Sequence, residues 1–169
     1  MYTSGLLLIV IATTVLGVFV SNLTPICLRC LCHAASSCNH TIGCLGEYCG
    51  PFQVNKAYWE DAGKIVLPDD TPSRAGAFLD CAEDYMCAQQ IVENYMSNFA
   101  DDCNGDGVTD CDDFAMLHFN LKTDCKTSLE GTNFGRRYST CRPTVEPPGV
   151  VPLRINSRDR TNRRPYFQG

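Results

Sequence analysis

The chain has 169 residues, enough for one compact domain, and its twelve cysteines all lie between Cys27 and Cys141. Residues 22–141 carry a net charge of −9, whereas residues 142–169 carry a net charge of +4. The acidic charge of the main segment gives it no electrostatic attraction to nucleic acid, anionic membranes or anionic cell walls. We therefore expect no nucleic-acid partner.

An uncharged, mainly apolar run of fifteen residues occupies positions 6–20. A membrane-spanning helix needs about twenty such residues, so the run favours a secretory signal peptide covering residues 1–21. An uncleaved N-terminal anchor is the alternative. The predicted protein is secreted and has no membrane contact once the signal is removed.

The cysteine content also indicates an exported protein, because domains this rich in cysteine are cross-linked in oxidising compartments. A zinc site is disfavoured because the cluster at Cys27, Cys30 and Cys32 has no second paired ligand cluster. The sequence leaves the connectivity open. The predicted disulfide cysteines are Cys27, Cys30, Cys32, Cys38, Cys44, Cys49, Cys81, Cys87, Cys103, Cys111, Cys125 and Cys141.

The first predicted elements are a short helix with tight turns in residues 27–49 and a short strand at residues 50–54. The clearest helix spans residues 81–99, where apolar side chains recur at three- and four-residue steps. Asp80 and Glu83 form a capping pair at its predicted start.

A shorter helix is predicted at residues 112–119. Beyond Cys141 the composition changes to proline and arginine without cysteine, which predicts a disordered basic tail at residues 142–169.

Clusters of cysteines, aromatic residues and small residues keep a spacing that resembles the invertebrate-type lysozymes, which include the destabilases. The resemblance covers residues 26–141 and is carried by Cys27-Leu28-x-Cys30-Leu31-Cys32, Cys38, Cys49-Gly50-Pro51-Phe52-Gln53-Val54, Ala57-Tyr58-Trp59, Tyr85-x-Cys87-Ala88, Asn94-Tyr95-Met96 and Cys103 to His118. It implies a small, disulfide-rich, lysozyme-like α+β domain at residues 22–141. The implied family activity is hydrolysis of β-1,4 bonds in peptidoglycan.

That reaction needs two carboxyl groups flanking the scissile bond, one of them a general acid. In the family the acid is a Glu three residues before the Cys that ends an ESGC segment, and counting back from Cys38 places the matching position here at Ala35. The segment that carries the second carboxylate is about four residues shorter here and holds only Glu47, a weak candidate for a relocated catalytic group. His118 stands at the family's histidine position and is expected to be structural or solvated.

The resulting hypothesis is a lysozyme homologue with lost or weakened catalysis that binds peptidoglycan or a chitin-like oligosaccharide. Phe52, Tyr58 and Trp59 are the candidates for packing against sugar rings, although aromatic residues at such positions belong more often to a core. Two alternatives stay open: an active hydrolase that uses Glu47, and a noncatalytic extracellular interaction module. The sequence does not predict the oligomeric state.

Residues 102–113 match the spacing of an EF-hand calcium loop, with Gly107 at the sharp turn. The predicted oxygen ligands are Asp102, Asn104, Asp106, Val108 through its carbonyl, Asp110 and Asp113. An acidic turn capped by a helix explains the same residues without a metal. Structural calcium is the one cofactor considered, and none is required.

Overall fold

The computed structural model describes Val20 and residues 22–143. Apart from Val20, the predicted signal peptide lies outside the described residues, as does the predicted tail beyond Pro143. Within the described part of the chain, no helix is both long and apolar enough to cross a membrane. The elements are α1 (Pro25–Ser36), β1 (Cys44–Leu45), β2 (Tyr48–Cys49), α2 (Lys56–Asp61), α3 (Ala77–Glu83), α4 (Tyr85–Phe99), α5 (Cys111–Asn120) and α6 (Asn133–Cys141).

Helix α1 has clear start and stop signals. The Thr24 side chain accepts a hydrogen bond from the backbone N–H of Cys27, and Pro25 supplies a first helical residue that needs no N–H partner. The helix ends where Ser37 adopts a left-handed conformation with φ of 59°. This stop places Ala35 in the last turn of α1.

A two-stranded antiparallel hairpin follows, with Cys44 opposite Cys49 and Leu45 opposite Tyr48. The strand predicted at residues 50–54 is wrong: residues 50–53 form a turn, closed by an isolated bridge between Cys49 and Val54. Gly50 has φ of 72°, and a Cβ there would lie 1.6 Å from the carbonyl oxygen of Ala82. Only glycine fits at this distance from Ala82, and its positive φ ends the extended conformation at residue 50.

The single helix predicted for residues 81–99 is two helices, α3 and α4. Asp84 between them has extended backbone, with ψ of 123°, and its carboxylate accepts the N–H of Cys87 at 2.8 Å. Asp84 is therefore the N-cap of α4, in place of the predicted Asp80 and Glu83 pair. The Cys81–Cys87 disulfide spans this break.

The core is built around α4, which packs against α2, α3 and α5, while α1 packs along α6 and also contacts α5. The predicted apolar stripe of α4 is buried at Ala88, Val92 and Tyr95 and only half-buried at its two ends. Helix α5 agrees with its prediction to within one residue at each end. The helices with one small sheet give the α+β class expected for this domain.

All twelve cysteines are paired, and two of the bridges join α1 to distant parts of the chain. Cys27–Cys111 ties α1 to α5, and Cys30–Cys141 ties α1 to α6 across 111 residues of sequence. The remaining four bridges close shorter loops: Cys32–Cys38, Cys44–Cys49, Cys81–Cys87 and Cys103–Cys125. Helix α1 is thus fixed on both of the helices that border Ala35.

Candidate functional site

Ala35 lines a cleft of about 510 Å³ bounded by the end of α1, the hairpin, α5 and α6. The apolar and aromatic walls are formed by Leu45, Tyr48, Phe52, Phe119 and Phe134. The polar lining consists of Gln53, His118, Asn133 and Arg137. None of these described lining residues carries a carboxylate.

Arg137 occupies the position beside Ala35 in this cleft. Its Nε donates a hydrogen bond to the carbonyl oxygen of Ala34 at 2.7 Å, and its Nη2 donates to that of Ala35 at 2.8 Å. These are among the last carbonyls of α1, which have no partners within the helix and attract a cation. The cleft therefore holds a fixed positive charge where the family's general acid is expected.

Glu47 lies exposed at the tip of the hairpin and is not part of the cleft lining, although its neighbours Leu45 and Tyr48 are. Gly46, with φ of 67°, makes the turn that places Glu47 there. The structure thus brings Ala35 and the hairpin together without turning this carboxylate into the cleft.

The three aromatic residues proposed for sugar packing belong to the core, which corrects that prediction. Phe52, Tyr58 and Trp59 are 0%, 2% and 3% exposed. Tyr58 stacks on Tyr95 with ring centroids 3.7 Å apart, and Trp59 donates its Nε1–H to the carbonyl oxygen of Ile65 at 2.5 Å. Side chains this buried offer almost no ring surface to a sugar, and Phe52 borders the cleft only from within the core.

The exposed aromatic and apolar residues at the cleft are others. Leu45, Tyr48 and Phe119 are 60%, 43% and 44% exposed and form its rim. The sequence predicted none of these three residues, because exposed side chains in a short hairpin and in the last turn of a helix follow no hydrophobic periodicity. Arg137 was missed as well, because α6 was not predicted and its packing on α1 is a long-range contact.

His118 is a structural imidazole at the floor of the cleft. A carbonyl oxygen can only accept, so Nε2–H of His118 donates to the Phe52 carbonyl at 2.9 Å. Nδ1 is then the acceptor for the Tyr58 hydroxyl, at 3.1 Å. Burial lowers the pKa of His118 to about 4, against a smaller opposing effect of the Phe52 bond. The ring is therefore neutral near pH 7, with its N–H committed to the backbone.

This burial predicts a loss of stability in mild acid. The unfolded imidazole takes up a proton near pH 6.5 and the folded one near pH 4, so the free energy of unfolding falls as the pH falls through that window. We expect the His118 contribution to drop by about 2 kcal/mol between pH 7 and pH 5. Urea denaturation at both pH values measures the total change.

His118→Gln is the matched variant, because a glutamine amide can donate to the Phe52 carbonyl and accept from Tyr58 without titrating. The variant should show a pH dependence smaller by about 2 kcal/mol over the same interval. Equal pH dependences in the two proteins would contradict the assignment of a depressed pKa to His118.

In the loop proposed to bind calcium, the carboxylates accept hydrogen bonds from backbone N–H groups of the same loop. Asp102 accepts N–H bonds from Gly105, Asp106 and Gly107 at 2.7–3.1 Å. Asp113, which is fully buried, accepts from Cys103, Asn104 and Asp110. These bonds use the oxygens that a metal would need.

The loop ends are held by disulfides rather than by a bridge within the loop, because Cys103 pairs with Cys125 and Cys111 with Cys27. In the described part of the chain, no three His, Cys, Asp or Glu side chains are grouped so as to hold a metal ion. Structural calcium stays a prediction. Binding heat and a rise in melting temperature at millimolar Ca²⁺ would support it, and their joint absence would remove it.

The comparisons with known proteins agree with this fold. The Destabilase family model matches residues 24–141. The chain is 32% identical over 122 residues to a lysozyme of Magallana gigas, a match covering 70% of this chain and 80% of that protein. It is 35% identical over 106 residues to invertebrate-type lysozyme 3 of Caenorhabditis elegans, covering 60% and 75% respectively.

Among solved structures, the chain resembles a Meretrix lusoria lysozyme in complex with Aeromonas hydrophila PliI. The sequence identity is 28% and the TM-score 0.55, over 73% of this chain and 98% of that one. A Tapes japonica lysozyme gives a TM-score of 0.51 over 76% of this chain and 95% of that one. The fold is thus of the lysozyme type. The chain belongs to the Destabilase family.

Proposed function

We propose that this protein is a secreted member of the lysozyme-type family that binds amino-sugar polymers such as peptidoglycan and has lost most or all glycosidase activity. The observation that carries the proposal is the cleft beside Ala35, whose described lining contains Arg137 and no carboxylate. Family membership supports amino-sugar polymers as the ligand class, whereas the cleft lining argues against hydrolysis of their glycosidic bonds.

None of the other polar groups described in the cleft replaces the missing acid. An arginine keeps its proton at every relevant pH, so Arg137 cannot donate one to a leaving oxygen. His118 is neutral and its N–H is bonded to the Phe52 carbonyl, so it has no proton directed into the cleft. Glycoside hydrolysis uses a carboxylic acid and a second carboxylate across the scissile bond, and this lining offers neither.

The cleft nevertheless retains features that suit a sugar. Tyr48 and Phe119 expose part of their rings at its rim, next to Leu45. Exposed apolar side chains grouped around a depression mark a binding surface, since water contact with them is unfavourable. Asn133 and Gln53 add hydrogen-bonding groups for hydroxyls and acetamido groups.

Co-sedimentation with insoluble peptidoglycan and with chitin tests this proposal. Leu45→Ala should weaken retention by about tenfold if the rim contacts the polymer, because it removes exposed apolar surface at the cleft. Leu79→Ala is the matched control, because Leu79 is also an exposed leucine, at 44%, and lies outside the cleft lining. Its retention should equal that of the unmodified protein.

The outcomes separate the alternatives. Failure to bind either polymer would overturn the proposal and favour a protein-interaction module. Clear turnover would overturn the loss of catalysis, and its abolition by Glu47→Gln would then identify Glu47 as a relocated carboxylate. Retention that depends on Leu45 and occurs without turnover supports the proposal.

A further inference from the structure

The Arg137 guanidinium uses only one of its edges within the protein. Nε and Nη2 donate to the carbonyl oxygens of Ala34 and Ala35, while Nη1 has no acceptor among the described residues. The five ion pairs found in the described part of the chain do not include Arg137. Its positive charge has no carboxylate partner there.

The unused edge has the geometry of an oxyanion receptor. A guanidinium carries five N–H donors in a plane, and two are occupied by α1. The remaining N–H groups on Nη1 and Nη2 form a fork that matches the two oxygens of a carboxylate. Because the bonds to α1 already fix the plane of the group, little side-chain entropy is lost when a ligand binds.

The surroundings of Arg137 favour an anion that is part of a larger, partly apolar molecule. Arg137 is half-buried and is the one ionised side chain in the described cleft lining. Phe134 and Phe119 line the same cleft, and apolar lining weakens competition from water and strengthens an ion pair. The cleft is thus locally positive although residues 22–141 carry a net charge of −9.

We infer that the cleft selects saccharides that carry a carboxylate, which pairs with the free edge of Arg137, over neutral amino-sugar chains. The inference rests on the proposed function and specifies the ligand of the same cleft. The carboxylate can be borne on an ether substituent of the sugar, as in muramic acid, or on the ring itself, as in a uronic acid. Both sources present the same two oxygens.

Titration calorimetry with three tetrasaccharides tests the inference: a neutral N-acetylglucosamine tetramer, an alternating N-acetylglucosamine–N-acetylmuramic acid tetramer, and a uronic-acid-containing tetramer. At least one acidic ligand should bind about tenfold more tightly than the neutral one at low salt. The preference should shrink at 0.5 M NaCl, because screening weakens a partly exposed ion pair.

Arg137→Gln should bring the ratio of acidic to neutral affinity to about one, because a neutral amide has neither the charge nor the two-bond fork that pairs with a carboxylate. Arg137→Lys keeps the charge without the fork and should retain only part of the preference. Arg29→Gln is the control, because Arg29 is an exposed arginine of α1 that does not line the cleft. The ratio of the acidic to the neutral tetramer's affinity is compared within each variant, so it does not change if part of that variant is unfolded.

Equal affinities for neutral and acidic tetramers would overturn the inference and leave the proposed sugar binding intact. A preference that survives Arg137→Gln would also overturn it, because another group would then hold the carboxylate. Absence of binding to all three ligands would refute both the inference and the proposed function. A preference for either acid that is lost in Arg137→Gln supports the inference, and the ligand concerned identifies the source of the carboxylate.

Discussion

The purified, oxidised protein is expected to hydrolyse peptidoglycan at least about 10²-fold more slowly than a family member whose cleft holds both carboxylates. A positioned general acid alone contributes typically about 10²–10⁴-fold in rate, and Ala35 provides no proton. Release of reducing sugar from peptidoglycan and from chitooligosaccharides measures the difference. Turnover comparable to that of the active relative would refute the proposed loss of catalysis.

Ala35→Glu is expected to restore little activity on its own. The new carboxyl would share the cleft with Arg137, whose Nη2 bonds to the carbonyl oxygen of residue 35 itself. A neighbouring cation favours the ionised carboxylate and lowers its pKa, so the group would be deprotonated when an acid is needed. Ala35 and Arg137 would therefore each oppose general acid catalysis at this position.

The double variant Ala35→Glu with Arg137→Gln removes that cation and should exceed Ala35→Glu by about tenfold or more. It should remain well below an active relative, because the second carboxylate is still missing from the described cleft lining. Arg137→Gln alone is the control and should show no turnover. Equal rates for the double variant and Ala35→Glu would show that Arg137 does not control the protonation of residue 35.

The fold class could be predicted because the family spacing of the cysteines and aromatic residues is local, and the same spacing assigns the general-acid position to Ala35. Ala35 follows from counting along a cysteine cluster, and the end of α1 at Ser37 then places it at the cleft. The helix break at Asp84 was not predicted because the apolar periodicity continues through it. The break is instead fixed by the hydrogen bond from Cys87 N–H to the Asp84 carboxylate and by the Cys81–Cys87 disulfide.

The chemistry of the cleft was less predictable because its residues meet through tertiary packing. Arg137 is 102 residues from Ala35 and reaches it only because α6 packs on α1. Tyr58 and Trp59 carried the family spacing, and that spacing reflects the core rather than a sugar site. Sequence patterns thus identified the family. The positive charge of the cleft could not be predicted, because it depends on the long-range contact between Arg137 and the end of α1.

Loss of the bridge between α1 and α6 is expected to destabilise the fold more than loss of the short-range Cys32–Cys38 bridge. With the Cys27–Cys111 bridge intact, Cys30–Cys141 closes a loop that runs from Cys30 to Cys27 and from Cys111 to Cys141, which is about 30 residues long. In the chain-entropy model such a loop stabilises the folded state by about 4 kcal/mol, against about 2 kcal/mol for a six-residue separation. The double variant Cys30→Ala with Cys141→Ala should therefore lose about 1.5 kcal/mol more in free energy of unfolding than Cys32→Ala with Cys38→Ala. Urea denaturation of both double variants measures the difference.

The two pairs are well matched, since each joins a buried cysteine of α1 to a half-buried one, so the cost of the lost side-chain packing largely cancels. Whole-domain stabilities are typically about 5–15 kcal/mol, so the first variant should be partly unfolded under conditions that the second survives. Equal losses would mean that the unfolded chain is already compact around α1 and α6, so that the long bridge restricts it little. In that case the bridge would matter mainly for holding Arg137 against the end of α1.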